Sequence, residues 1–315
     1  MSRVTVVIPN YNGEKYIKRC LTALTKQSFK DFDVIIVDND SEDESMKLVD
    51  KYSSQLHITK IYLDNNYGFS RAVNEGIKAS TSEYVILLNN DAYAAMRFIE
   101  NLYIAISADE SVFAAQALML QEANHNLIDS AGDVFLPMGW AWSPKRDKVY
   151  RGHMKDREIF SACAGAAIYR KSVFEEIGYF DEAFFAYLED MDISYRARLA
   201  GYKCVLASES KVLHVGSGAS GSRHNSFKVG LAARNSMLVM YKNMPLWQIM
   251  FNLPVIFMGF VIKAAYFAGK GLVREYVHGI MGSLTKMMSV KKTAASTDDY
   301  SRLQKQIWAN LFKIF

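Results

Sequence analysis

Residues 3–13 read RVTVVIPNYNG, and the pattern they set recurs downstream. The run at 3–8 is short, apolar and β-branched, as a buried strand is, and Pro9 bounds it. Asn10, Tyr11, Asn12 and Gly13 supply loop chemistry. Glu14–Leu24 then carries Tyr16, Ile17, Cys20, Leu21 and Leu24 on one side and predicts an amphipathic helix. DVIIV at 33–37 predicts a second strand, ending in Asp38-Asn39-Asp40-Ser41, with a helix over roughly 43–52. A third strand is expected at Ile58–Leu63, a loop at 65–68, and a helix at Arg71–Ala79. YVILL at 84–88 is the fourth strand and runs into Asn89-Asn90-Asp91. Near-continuous apolar strands alternating with helices are the pattern of a parallel sheet covered on both faces. Ligands of such sheets bind beyond the carboxyl ends of the strands. The polar clusters at 9–13, 38–41 and 89–91 all fall at those ends, so three loops converge on one edge.

The remaining chain is less regular. A strand is expected at Val112–Leu120, a loop-rich stretch with Trp140 and Trp142 at 130–150, and a small-residue strand at 161–169 (SACAGAAIY). Its small residues, Gly165 among them, let either a ligand or a packed neighbour approach the backbone closely. Residues 180–202, FDEAFFAYLEDMDISYRARLAGY, carry the aromatics Phe180, Phe184, Phe185 and Tyr187 into Glu189, Asp190 and Asp192. Ile193, Ala197 and Ala200 continue at helical spacing and Gly201 closes the segment. Acids in a first helical turn have a structural reason in the macrodipole. Asp192 and Arg196, four apart, read as a helix-face pair worth a few tenths of a kcal/mol. Asp190 is different: a carboxyl entering from an aromatic cluster is desolvated, which raises its pKa towards that of a working base. Further strands are expected at 203–207 and 211–215, leading to His214 and a Gly/Ser loop at 216–221. Alone, His214 reads as a satisfied core histidine.

The chain has 315 residues, 50% hydrophobic and 22% charged, which excludes wholesale disorder and allows a large core. Cys20, Cys163 and Cys204 are scattered and odd in number, without a CxxC, and fit a reducing compartment. The N-terminal residues enter a strand pattern directly, so no signal peptide is expected. Residues 241–315 hold ten Lys/Arg against three acids, although the whole chain is only +4. A basic, apolar tail suits an anionic membrane surface, and no aromatic-studded basic module supports a nucleic-acid partner. LWQIMFNLPVIFMGFVIKAAYFA at 246–268 nears the ~20 residues of a bilayer span, but Gln248, Asn252, Pro254 and Lys263 interrupt it. Amphipathic helices in the membrane interface are expected; a packed helical subdomain, a homo-oligomer interface and a true span are the alternatives. A joint at 293–299 precedes a last helix over 300–315, with Leu303, Ile307, Leu311 and Ile314 on one side.

Several motifs, in order, resemble the inverting family 2 glycosyltransferases. They are VVIPNYNG (6–13), VDNDSEDES (37–45), NYGFSRAVNEGI (66–77), VILLNNDA (85–92), the stretch at 163–203, and LHVGSGAS (213–220). The likeness covers roughly 3–240 and is nearest to the rhamnosyltransferase-like branch. It implies a GT-A fold: an α/β, Rossmann-like mixed sheet with helices on both faces in residues 1–240, followed by the helical tail at 241–315. It implies that Pro9, Asn10, Tyr11, Asn12, Asp38 and Asn39 hold the nucleotide. The family's acidic metal triplet falls on Asn89-Asn90-Asp91, leaving Asp91 as metal ligand with His214 as the second, and Asn89 or Asn90 facing the nucleotide. Arg71 either reaches the diphosphate or is exposed on its helix. Asp190 matches the catalytic base, with Glu189, Asp192, Arg196 and Gly165 as acceptor or supporting residues. The implied cofactor is Mn²⁺ or Mg²⁺. The expected partners are a nucleoside-diphosphate sugar, with dTDP-rhamnose ahead of a UDP-hexose or UDP-N-acetylhexosamine, and a lipid-linked or growing glycan. The expected place of work is the cytoplasmic face of the membrane, with peripheral attachment. A non-catalytic glycan-assembly partner that binds nucleotide sugar is the competing class.

Overall fold

The computed structural model describes residues 2–216 and 225–313. The first part follows the alternation in the sequence: β1 (Val4–Asn10), α1 (Glu14–Thr25), β2 (Phe32–Asp38), α2 (Ser45–Asp50), β3 (Ile58–Tyr62), α3 (Gly68–Ala79) and β4 (Tyr84–Leu88). Then come β5 (Ala92–Ala94), α4 (Phe98–Ser107), β6 (Val112–Gln121), β7 (Ile128–Ser130) and the short ribbon β8 (Val134–Phe135) with β9 (Ala141–Trp142). β10 (Arg157–Ile159), β11 (Ala166–Arg170), α5 (Lys171–Ile177), α6 (Glu189–Leu199) and β12 (Lys203–His214) complete the sheet region. The helices α7 (Ser226–Asn243), α8 (Leu246–Ala268), α9 (Val273–Met287) and α10 (Thr297–Ala309) close the chain.

The main sheet has ten strands in the order β10-β12-β6-β11-β4-β1-β2-β3, with β5 on β12 and β7 on β6. β3, β2, β1 and β4 are mutually parallel, as the alternation predicts. β11 runs antiparallel to both β4 and β6, and β12 lies parallel to β6. The sheet is therefore mixed, and the ends of β1, β2, β4, β6 and β12 share one edge with the start of β11. Pleating explains the two-sided core. Val4, Val6 and Ile8 face a layer with Ile17 and Leu21, while Val7, Ile35 and Val37 face Val73 and Ile77.

Several expectations change. The small-residue strand begins at Ala166, because residues 161–165 are spent on a bridge and a turn before it. The two strands expected at 203–207 and 211–215 are one, β12, with a register shift between Ala207 and Lys211. The third helix starts at Gly68, three residues early, where Gly68 takes φ +84° under the Phe185 backbone. The tail boundary drawn at 240 falls inside α7. A third core cluster joins Phe135, Tyr195, Leu199 and Leu238 to Leu303 and Ile307, so α10 shares a core with α6 and α7. Leu311 packs against that cluster; Ile314 lies outside the described residues.

Candidate active site

The nucleotide-side loops are built first by the chain's own hydrogen bonds. Asn10, 1% exposed, donates from Nδ2 to Asp38 Oδ1 (3.0 Å) and Ser45 Oγ (2.8 Å), and accepts at Oδ1 from Asn90 Nδ2 (2.9 Å). One side chain thus ties together the ends of β1, β2 and β4. Gly13 is required beside it, since a Cβ there would stand 2.1 Å from Asn10 Oδ1. Asn12 takes φ 48°, and its Oδ1 accepts from the Glu42 amide. Asn39 donates to Asn66 Oδ1 and the Gly68 carbonyl and accepts from the Tyr67 amide, fixing the entry to α3. Pro9 is half-buried at the end of β1, and Tyr11 next to it is exposed. Arg71 lies on the surface of α3, paired with Glu75 at 3.0 Å and Glu182 at 3.1 Å.

At the next strand ends, His214 Nε2 lies 3.2 Å from Asp91 Oδ1 and 3.4 Å from Asn89 Nδ2. Its Nδ1 lies 2.7 Å from Asp129 Oδ2 on β7. Burial disfavours the imidazolium, but Asp129 and Asp91 outweigh it and push the pKa up to about 9. Among the described residues no group of three or more His, Cys, Asp or Glu could hold a metal ion. The chemistry of the Asp91–His214 pair nevertheless fits a hard divalent cation completed by diphosphate oxygens and water. A metal-binding histidine usually presents its second nitrogen to a carboxylate, as His214 does to Asp129. Arg146 bonds Asp129 from Nη2 at 2.9 Å. Burial, followed by the Arg146 charge, lowers the pKa of Lys228, with Asp91 opposing. The Gly/Ser segment at 217–221, expected after His214, lies outside the described residues.

Asp190 stands at the start of α6, partly buried. Its Oδ1 accepts from the Met191 amide (2.7 Å), its Oδ2 from the Ala164 amide (3.4 Å), and the Cys163 thiol also donates to it. Burial raises its pKa in spite of these donors. Glu189 beside it is 6% exposed, with Oε2 unpartnered. Burial and the Asp190 charge hold its carboxyl well above the usual range. Gly165 connects the two halves: its carbonyl accepts from the Asn89 amide at 2.9 Å, one residue from the amide that meets Asp190. A Cβ on Gly165 would lie 3.0 Å from Asn89 Nδ2.

Asp192 and Arg196 do pair, but not as a solvated helix-face pair. Asp192 is fully buried and accepts from Arg196 Nε (3.0 Å), Lys242 Nζ (3.0 Å) and Asn243 Nδ2 (2.8 Å). Arg196 also donates to the carbonyls of Ile177, Gly178 and Tyr179. Both residues hold α6 in place and leave the site to Asp190. The sequence reading missed the support behind it. Phe185, Tyr187 and Leu188 all have positive φ (63°, 69° and 67°), an uncommon backbone for such side chains. Asn235 Nδ2 donates to the carbonyls of Phe184, Ala186 and Tyr187, and Arg234 to those of Ala183 and Phe184. Asp133 was missed too. Its backbone pairs with Ser161, and burial followed by the Asp190 charge raises its carboxyl to about 7. No local pattern marks Asp129, Asp133 or Asn235, because their partners are distant in sequence.

Comparison with known proteins shows the family and the fold. The glycosyl transferase family 2 profile matches residues 5–178, and the chain belongs to that family. The mixed sheet with its flanking helices is a GT-A fold, shared with several solved structures. S. aureus TarS 1–349 in complex with UDP-GlcNAc aligns with TM-score 0.62 at 18% identity, over 99% of this chain and 88% of that one. GalNAc-T7 with UDP, GalNAc and Mn²⁺ aligns with TM-score 0.66 at 15% identity, over 99% and 57%. In sequence, the poly(ribitol-phosphate) beta-N-acetylglucosaminyltransferase TarS of Staphylococcus aureus is 34% identical over 96 residues, 30% of this chain and 17% of its own length. Glycosyltransferase GlyG of Streptococcus pneumoniae is 31% identical over 101 residues, 32% and 34% of the two chains. The matched stretches thus span about a third or less of these relatives.

Proposed function

We propose that this chain is an inverting glycosyltransferase that moves a sugar from a nucleoside-diphosphate donor to a hydroxyl of a lipid-linked or growing cell-envelope glycan. The reading places the work at the cytoplasmic face of the membrane, with peripheral attachment through the C-terminal helices. The observation that carries it is the desolvated Asp190 carboxyl, joined through Ala164, Gly165 and Asn89 to the Asp91–His214 edge of a family 2 fold. An acceptor hydroxyl is too weak an acid to attack unaided, and a carboxylate of raised pKa takes its proton as the new bond forms. One base and one displacement invert the anomeric centre without a covalent enzyme intermediate. Asp91 and His214 would hold Mn²⁺ or Mg²⁺, which supplies charge neutralisation for the departing diphosphate. Arg146 and Lys228 add positive charge at the same edge. Asn10, Asp38 and Asn39 shape the nucleotide loops, and Tyr11 and Asn12 beside them are exposed.

Two donors compete. The branch resemblance favours dTDP-rhamnose, whereas the matched Staphylococcus aureus relative is by name an N-acetylglucosaminyltransferase, which favours a UDP-N-acetylhexosamine. A thermal-shift screen of nucleoside diphosphates and their sugars, each with Mn²⁺, Mg²⁺ or EDTA, separates them, because a ligand of the native state raises Tm by mass action. A metal-dependent shift with uridine compounds selects the hexosamine donor, and one with thymidine compounds selects rhamnose. No shift with any nucleotide would overturn the transferase reading.

A further inference from the structure

The helix α8 is built inside out. Its three buried residues are Gln248, Asn252 and Gly259, two of them polar. Gln248 donates to the Tyr300 carbonyl at 2.6 Å, and Asn252 exchanges hydrogen bonds with Gln304 and accepts from Trp308 Nε1. Together with Lys263, which lies over the Trp140 ring at 4.8 Å, they form one stripe at helical spacing, turned towards the protein. The polar and charged residues that interrupt the apolar run in sequence, Gln248, Asn252 and Lys263, are thus off its outer face, where Pro254 is exposed among apolar side chains. Met250, Phe251, Phe257, Met258, Val261 and Ile262 are each at least 48% exposed on that face. Only 11% of its most apolar window is buried. An apolar surface of this extent marks an interaction site.

The charges that follow α8 in the chain select its occupant, beginning with Lys270, which lies over the Tyr266 ring of α8 at 5.0 Å. Between Leu246 and Thr297 the sole acid is Glu275, while Lys270, Arg274, Lys286, Lys291 and Lys292 are all exposed. A two-fold contact with a second copy would set one basic rim against another and leave like charges facing each other. An anionic bilayer meets both features, apolar face to acyl chains and basic rim to headgroups. The inward stripe opposes a transbilayer path, which would break the bonds of Gln248 and Asn252 to α10. That helix in turn holds α6, through Arg302 to the Arg198 carbonyl and Gln306 to Arg198.

We infer that α8 lies flat in the interface of an anionic membrane, outer face down, as the docking surface of the folded enzyme. The inference rests on the membrane-facing reading of the function above and names the surface and the lipid chemistry that would serve it. α7 connects this surface to the catalytic loop. It packs on α9 so closely that a Cβ on Gly279 would lie 2.2 Å from the Gly230 carbonyl oxygen, and its Arg234 and Asn235 carry the loop before Asp190.

The test is flotation of the full chain with vesicles of phosphatidylcholine alone or with phosphatidylglycerol. Phe257→Glu and Val261→Glu, both exposed and far from the chemistry, serve as face variants, and Lys270→Glu/Arg274→Glu as the rim variant. The expected result is flotation with phosphatidylglycerol vesicles, reduced at high salt, weakened at least tenfold by the face variants and several-fold by the rim variant. Nucleotide-induced thermal shifts of all variants should match the parent, which separates loss of docking from loss of the transferase site. Failure of the parent to float with either vesicle overturns the inference, as does a dimer that the face variants dissociate. Flotation unchanged in the face variants overturns the assignment to α8 while leaving membrane attachment itself standing.

Discussion

Asp190, Glu189 and Asp192 stand within four residues and do three different things because their surroundings differ. Asp190 is only partly buried, and that burial raises its pKa. Turnover should therefore rise with pH through a value above the ordinary carboxylate pKa of ~4, which a pH–rate profile reads directly. Burial, followed by the Asp190 charge, holds the Glu189 carboxyl well above the usual range and favours its neutral form. Glu189→Gln should leave turnover within a few-fold of the parent, and a loss of 100-fold in a steady-state assay would show that its charge is needed. Burial also works against the Asp192 charge, yet Arg196, Lys242 and Asn243 together hold its carboxyl below the usual range. Removing it strands buried cations, so Asp192→Asn should cost about 3–5 kcal/mol in urea denaturation at neutral pH. A depressed folded-state pKa stabilises fully above the unfolded value of ~3.9 and loses that contribution as pH falls through the folded one. The gap between parent and variant should accordingly narrow in acid.

At the scale of elements, the loop at 183–188 is the strained part and α7 is its brace. Asn235→Ala removes three hydrogen bonds to the carbonyls of a segment with three positive-φ residues. Turnover should fall at least tenfold, while the nucleotide-induced thermal shift, made by loops on β1, β2 and β4, persists. An equal loss of both would mean the brace is only structural. The contrast between α7 and the first strands shows what the sequence made legible. Strands β1 to β4 and their polar ends announced themselves by local alternation, and the ordered motifs named Asp190 and His214. Asn235 and Lys242 gave no signal, because each acts on carbonyls or carboxylates about 50 residues away. Asp129 was silent for the same reason: its partner His214 is 85 residues on. The Asp192–Arg196 pair was legible as a pair but not as a buried one, since spacing along a helix says nothing about what covers it.

For the whole molecule, the tail is less an appendage than its composition suggested. α10 contributes Leu303 and Ile307, both fully buried, to the core that backs α6. Truncation after Met244 would expose Tyr195 and Leu199 and should give an aggregating or molten product, seen as loss of a cooperative thermal transition. On the membrane reading proposed above, the apolar face and basic residues of the same helices would bring a membrane-bound acceptor to the proposed donor site. The central claim is that Asp190 is the base of that transfer. It is tested most directly by measuring donor turnover by Asp190→Asn beside its thermal shift with the same nucleotide and metal. The account predicts turnover lower by about 10²-fold or more with the shift intact. Turnover at the parent rate with an intact shift would contradict it.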